Sequence, residues 1–254
     1  MNFGKKLLKP VWNSNFTILF RNKLGIKPVI FDLPEEQSYS ASDLFIWRTD
    51  GEFSCQIRIT DIAKKYYGLE STIRIVFYDF NGEEICVIDK TESDFCGDTL
   101  SVDINESIVS QNAIGTFSVF HLVRGAKVAI ANRCYVGYGI NGAGKSFVHG
   151  NMYAKKIDLE NGEISSAVRD HSKETTYYIQ KPFDRFDRSE LFFVNPMNKT
   201  IYIEVNGNKH RLLSGIVKKV CISDEKIVCI KSDFAWPRPL IFSYLNNHFD
   251  VHHS

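Results

Sequence analysis

Phe53-Ser54-Cys55-Gln56-Ile57-Arg58-Ile59-Thr60 decides the fold class. Apolar side chains stand at 53, 55, 57 and 59, polar ones at 54, 56, 58 and 60. A period of two puts the apolar set on one face of an extended chain, whereas a helix would scatter it around the axis. Ile73 to Phe80 is a second such run, Asn81-Gly82 follows it, and Glu84 to Ile88 is the return strand. Asn-Gly favours the left-handed backbone of a tight hairpin turn, so these two runs are read as a β-hairpin.

The same pattern extends outward along the chain. Leu44 to Trp47, Leu100 to Ile104, Gly115 to Val123 and Lys127 to Ile130 read as strands of the first half. Tyr177 to Ile179, Leu191 to Val194, Thr200 to Val205, Ile216 to Ile222, Lys226 to Lys231 and Leu240 to Tyr244 read as strands of the second. Asn195-Pro196, Asn206-Gly207, Ser223-Asp224-Glu225 and Pro237-Arg238-Pro239 break them. Short strands with turn residues between them predict an all-β chain. One helical turn is expected between Asp61 and Glu70, and helix is otherwise confined to the first forty residues.

The predicted organisation is two β-sandwich units. Residues 1–40 form a basic, partly helical extension, 41–130 the first unit, 131–175 a Gly-rich hairpin and connector, and 176–254 the second unit. Ser42 to Trp47 matches Ser189 to Val194 in pattern, and Gly115 to Phe120 matches Pro239 to Tyr244. An internal repeat and one larger sandwich with extra strands both fit that pattern.

Composition narrows the function classes. The 254 residues are 44% hydrophobic and 24% charged, which excludes a disordered or collagen-like chain. Thirty-one Lys and Arg against thirty Asp and Glu leave a net charge of +1, so no global field recruits nucleic acid. No apolar run reaches the roughly 18 residues of a transmembrane helix. Residues 1–27 are basic without an acid, which makes peripheral membrane contact a candidate role for them. Cys55, Cys86, Cys96, Cys134, Cys221 and Cys229 form no C-x-x-C pair, and most lie in apolar strand contexts. Buried free thiols in a reducing cytosol are the expectation.

Gly139-Ile140-Asn141-Gly142-Ala143-Gly144-Lys145-Ser146 fits the phosphate-binding pattern G-x-x-x-x-G-K-[ST]. That chemistry requires a buried strand before the loop and a helix after it. Here the flanks are polar, Gly-broken and β-branched, with Tyr135, Tyr138, Phe147 and Tyr153 on either side. The stretch is therefore read as a hairpin, and no nucleotide or other cofactor is implied.

The candidate binding residues are Tyr138, His149 and Tyr153 around that hairpin, Trp236 and Arg238 in the Pro-rich turn, and His248, Asp250 and His252 near the C-terminus. Aromatic, imidazole and carboxylate groups gather there, and function in β-proteins gathers on loops. His248 and His252 would stand about 6 Å apart on a helix but about 13 Å apart in a strand, so a strand cannot use both for one metal. No metal is assigned. Asp184-Arg185-Phe186-Asp187-Arg188 is read as a solvated loop.

Tyr135-Val136-Gly137-Tyr138, Ser146 to Ala154, Arg238 to Phe242 and His248 to Ser254 together resemble a family of bacterial β-rich, tandem-sandwich-like proteins without an assigned activity. The second half also resembles the small sandwich of sensory rhodopsin transducer-like proteins. Neither likeness implies a catalytic residue.

Two functions follow as expectations. One is a non-catalytic binding or scaffolding protein whose partner is a carbohydrate, another small molecule or a protein. The other is an enzyme with a site between the halves, built from His149, His248, Asp250 and His252, which would supply acid–base or metal-assisted chemistry. Convergence of His149 with the C-terminal segment discriminates them.

Overall fold

The computed structural model describes residues 14, 16–17, 20, 23–24, 29–31, 39–105, 108–110, 112–123, 134–140, 142, 144–150, 153–170, 174–180, 183–223, 225–234, 238–246 and 248–253. Of these, 60% lie in strands and 8% in helix, so the chain is all-β. The expected strand at Lys127 to Ile130, nearly all of the basic extension, and Trp236 lie outside the described residues.

The strands of the first part are β1 (Val29–Phe31), β2 (Tyr39–Asp43), β3 (Phe45–Arg48), β4 (Phe53–Thr60), β5 (Thr72–Tyr78), β6 (Glu84–Lys90), β7 (Thr99–Ile104), β8 (Ile114–Leu122), β9 (Cys134–Ile140) and β10 (Ser146–His149). Then come β11 (Tyr153–Asp158), β12 (Ile164–Ser166) and β13 (Val168–Asp170). The last part holds β14 (Thr175–Gln180), β15 (Arg188–Val194), β16 (Ile201–Val205), β17 (Asn208–Leu212), β18 (Val217–Ile222), β19 (Ile227–Ser232), β20 (Leu240–Leu245) and β21 (His248–His253). The expected helical turn is helix α1, Ile62–Tyr67.

All the sheets are small. Four have four strands, in the orders β10-β9-β4-β7, β3-β8-β5-β6, β14-β19-β16-β17 and β18-β15-β20-β21. Strands β12-β11-β2 form a three-stranded sheet, and β1-β13 a two-stranded ribbon. Every pairing is antiparallel. The Asn81-Gly82 turn joins β5 to β6 as its sequence predicts, with Gly82 at φ +84°. The phosphate-loop look-alike is a β-hairpin: β9 pairs with β10 through Tyr138↔Ser146 and Val136↔Val148.

Side-chain alternation sorts the interior into cores. Phe45, Trp47, Ile73, Ile75, Phe77, Phe117 and Val119 meet Phe53, Cys55, Ile57, Ile59, Val102, Val136 and Tyr138 in the first core. Phe192, Val217, Leu240, Phe242, Tyr244 and Val251 from the last part of the chain enter that same core. Leu191, Phe193 and Ile241, their odd-numbered neighbours, turn the opposite way into a second core with Ile201, Ile203, Val205, Leu212, Val228 and Ile230. The central strands β15 and β20 of the sheet β18-β15-β20-β21 therefore meet a core on each face, which explains the unbroken apolar runs Leu191 to Val194 and Leu240 to Phe242. A smaller cluster of Val76, Tyr78, Phe120 and Ile157 covers the outer face of β5 and β8.

One expectation is corrected here, and one open question is answered. Cys55 and Cys134 are buried, but Cys96 and Cys221 are exposed, so apolar sequence neighbours did not bury every thiol. His248 to His253, whose geometry the sequence left open, is an edge strand. No described helix is long and apolar enough to cross a membrane.

Candidate functional site

A cavity of about 60 Å³ opens where the end of β10 meets the end of β21. Its floor is apolar, from Phe45, Val136, Tyr138, Val148, Phe192 and Leu240, and its polar groups include His149, Arg238 and His253. At roughly 30 Å³ per liquid water molecule, the enclosed part holds no more than a small polar group; anything larger would extend outward.

Register decides which histidine reaches it. Strand β20 turns Leu240, Phe242 and Tyr244 toward the first core, and β21 pairs Leu240↔His253, Phe242↔Val251 and Tyr244↔Phe249. Phe249, Val251 and His253 therefore share one face, while His248, Asp250 and His252 share the other. His253 Nε2 donates to the backbone carbonyl of His149, and the two rings lie 5.6 Å apart between centroids. His149 itself is exposed, with Nδ1 2.6 Å from the Gly150 carbonyl oxygen.

Donation through Nε2 leaves His253 Nδ1 as an acceptor, and that buried atom has no hydrogen-bond partner. Burial pushes the His253 ring down to about 4; the hydrogen bond to the His149 carbonyl opposes the shift, and the charges of His149, Arg238 and His252 add to it, so the ring is neutral at pH 7. A neutral imidazole and an arginine thus line the cavity together.

Asp43, the last residue of β2, stands behind the rim. Its carboxylate presses on Gly150 so closely that a Cβ at position 150 would come within 1.7 Å of Oδ2. Burial raises Asp43 to about 7. Cys134 lies within its field, and burial holds that thiol well above its ordinary value, so Cys134 is no nucleophile.

A second polar cluster joins the two parts of the chain. Arg48 is buried and makes a two-pronged bond to Asp50, Nε–Oδ1 and Nη2–Oδ2 both at 2.8 Å. Its Nη1 reaches Glu190 Oε2 and the Tyr244 hydroxyl, each at 3.0 Å. The guanidinium lies 3.8 Å from the Phe53 ring centroid and 4.7 Å from that of Phe242. Burial acts to raise the Glu190 carboxyl, but the Tyr244 hydroxyl at 2.6 Å, with Arg48 and Lys219, outweighs it and holds Glu190 below its ordinary range. Every strong partner of Arg48 is already supplied, which makes this cluster a lock between the parts rather than an open site.

The residues singled out from sequence separate accordingly. Tyr138 lies in the floor, fully buried, its hydroxyl donating to the Ile46 carbonyl at 2.7 Å and its ring 4.9 Å from that of Phe242. His149 and Arg238 reach the cavity. His248, Asp250 and His252 do not line it; Asp250 Oδ2 and His252 Nδ1 are 3.3 Å apart on the far face of β21. Tyr153 opens β11, opposite Asp43. Among the described residues no group of three or more His, Cys, Asp or Glu could hold a metal ion.

Sequence reasoning passed over His253, Asp43 and the Arg48 cluster. For His253 a signal existed: Phe249 and Val251 mark the core face of a strand, and 253 is next in that series. For Asp43 and Arg48 there was none, because their partners lie far along the chain. No family model matches this chain, and no curated protein matches it.

Proposed function

We propose that the chain is a non-catalytic binding protein that holds a small hydroxylated molecule of the carbohydrate class at the His149–Arg238–His253 cavity. One observation carries the reading: His253, whose buried Nδ1 has no hydrogen-bond partner, lines the same apolar recess as Arg238. A sugar hydroxyl is at once a donor and an acceptor, so one such group can donate to His253 and accept from Arg238. An apolar floor suits the C–H face of a sugar ring. The architecture belonging to this reading is two face-to-face sandwiches with the site at their junction. The split of the interior into two main cores supports it.

Calorimetric titration with a panel of mono- and oligosaccharides tests the proposal. Saturable binding that His253→Phe abolishes, with the thermal midpoint little changed, is expected. Absence of binding across the panel, or binding indifferent to His253→Phe, overturns it.

A second reading, an acid–base enzyme, is favoured by Asp43, whose carboxyl is raised to about 7 directly against Gly150. Turnover of a bound sugar that Asp43→Asn eliminates without weakening binding would select it over the first.

A further inference from the structure

We propose that Tyr78, Thr116, Ser118 and Lys155 form a binding site for one small monovalent anion of halide size. Tyr78 of β5 lies opposite Thr116 of β8, and Val76 lies opposite Ser118. Alternation therefore turns Val76, Tyr78, Thr116, Ser118 and Phe120 to one face. Ile157 of β11 packs on that face against Val76, Tyr78 and Phe120. The apolar groups there satisfy one another, but the hydroxyls do not. Tyr78 Oη, Thr116 Oγ1 and Ser118 Oγ are all buried, and none has a hydrogen-bond partner. The Ser118 hydroxyl stands near enough to Tyr78 to work against the upward push that burial gives its phenol, yet makes no hydrogen bond with it. Buried polar groups are almost always paired, so three such hydroxyls on one patch mark a place where a ligand is recognised.

Charge decides the kind of ligand. Lys155 lies two residues before Ile157 on β11, is half-buried, and holds its Nζ 5.7 Å from the centre of the Tyr78 ring. Among the described residues no carboxylate pairs with it, and burial lowers its ammonium unopposed. Glu84, the carboxylate whose charge reaches Tyr78, is itself exposed on β6. An ammonium has three N–H donors and no acceptor, and each hydroxyl adds a donor. Water would bring two more hydrogens into a nest already rich in them. An anion accepts from the hydroxyls and the ammonium together and neutralises the half-buried charge. Side chains fill the roughly 10 Å between packed sheets, so only a compact ion fits among them. The site is separate from the His149–Arg238–His253 cavity, since Tyr78, Thr116, Ser118 and Lys155 do not line that cavity.

Thermal unfolding of the full chain tests the proposal, in sodium chloride and in sodium gluconate at equal ionic strength. Gluconate is too large for the nest. Chloride is expected to raise the midpoint saturably above its value in gluconate, as a ligand of the folded state does. Lys155→Met keeps the length of the side chain without its charge and is expected to weaken the apparent chloride affinity at least about tenfold. Ser118→Ala and Thr116→Val each remove one neutral donor and are expected to weaken it by about threefold. Each variant is its own reference, because the comparison is between the two salts, so a change in its basal stability leaves the reading intact. In crystals grown in sodium bromide, an anomalous-scattering peak is expected among the four side chains. Equal midpoints in the two salts, a chloride response that Lys155→Met, Ser118→Ala and Thr116→Val leave intact, or bromide bound only elsewhere overturns the proposal.

Discussion

At the scale of single residues, His121 is the group whose environment most directly sets a measurable property. It lies on β8 with its side chain buried, and neither ring nitrogen has a hydrogen-bond partner. Burial lowers it to about 4 from 6.5; the nearby Asp61 opposes the shift without cancelling it. A folded-state value below the unfolded one means that the unfolded chain takes up the proton first. Stability from this group is therefore complete above pH 6.5 and falls as the pH drops from 6.5 toward 4, by about 3 kcal/mol in all. Urea unfolding at pH 7 and at pH 4.5 should show the loss, and His121→Phe should remove most of it. An unchanged slope in that variant would place the titration elsewhere.

At the scale of elements, α1 shows how a six-residue helix is held in a β-protein. Isolated helices so short are not stable, so the ends must be tied. Asp61 Oδ1 accepts from the Lys64 amide at 3.0 Å and from the Ser71 hydroxyl at 3.1 Å. At the other end Gly68, at φ +63°, sends its amide to the carbonyls of Ala63 and Lys64. Asp61→Ala removes the cap and the link to Ser71, and a loss of about 1–2 kcal/mol is expected from denaturant midpoints. Asp61→Asn, which keeps an acceptor, should recover most of it. The strands differ in kind: β4 alternates plainly because one face meets the core, whereas Leu191 to Val194 in β15 and Leu240 to Phe242 in β20 are unbroken apolar runs because both faces do.

At the scale of the whole molecule, the two parts of the chain share an interior. Phe192, Phe242 and Tyr244 complete a core begun by Phe53 and Tyr138, and Arg48 binds Glu190 across the same boundary. Calorimetry should accordingly record one unfolding transition, and Arg48→Ala should lower stability by about 3–5 kcal/mol, because it strands the buried Glu190 carboxylate. Adding Glu190→Gln to Arg48→Ala should return part of that loss. Two separate transitions in the wild type would show instead that the parts unfold independently.

Most strands, the turns and the helical turn at Ile62–Tyr67 were legible in the sequence because they depend on neighbours a few residues apart, whereas β11, β12 and β13 were read only as connector and β21 was left open. Alternation at 53–60, Asn-Gly at 81–82 and the broken flanks of the Gly139–Ser146 loop each carry their own local explanation. The site was legible only in part. His149 and Arg238 were visible by residue type, but their partner was sought at His252 when register places it at His253. A period of two makes a one-residue difference reverse the face, and only the pairing of β21 with β20 says which face meets the first core. Asp43, Arg48 and Glu190 gain their electrostatic character from burial beside residues far along the chain. The same holds for β6: its apolar run is evident in the sequence, but its place at an edge was decided by the tertiary structure, since strand order depends on long-range pairing.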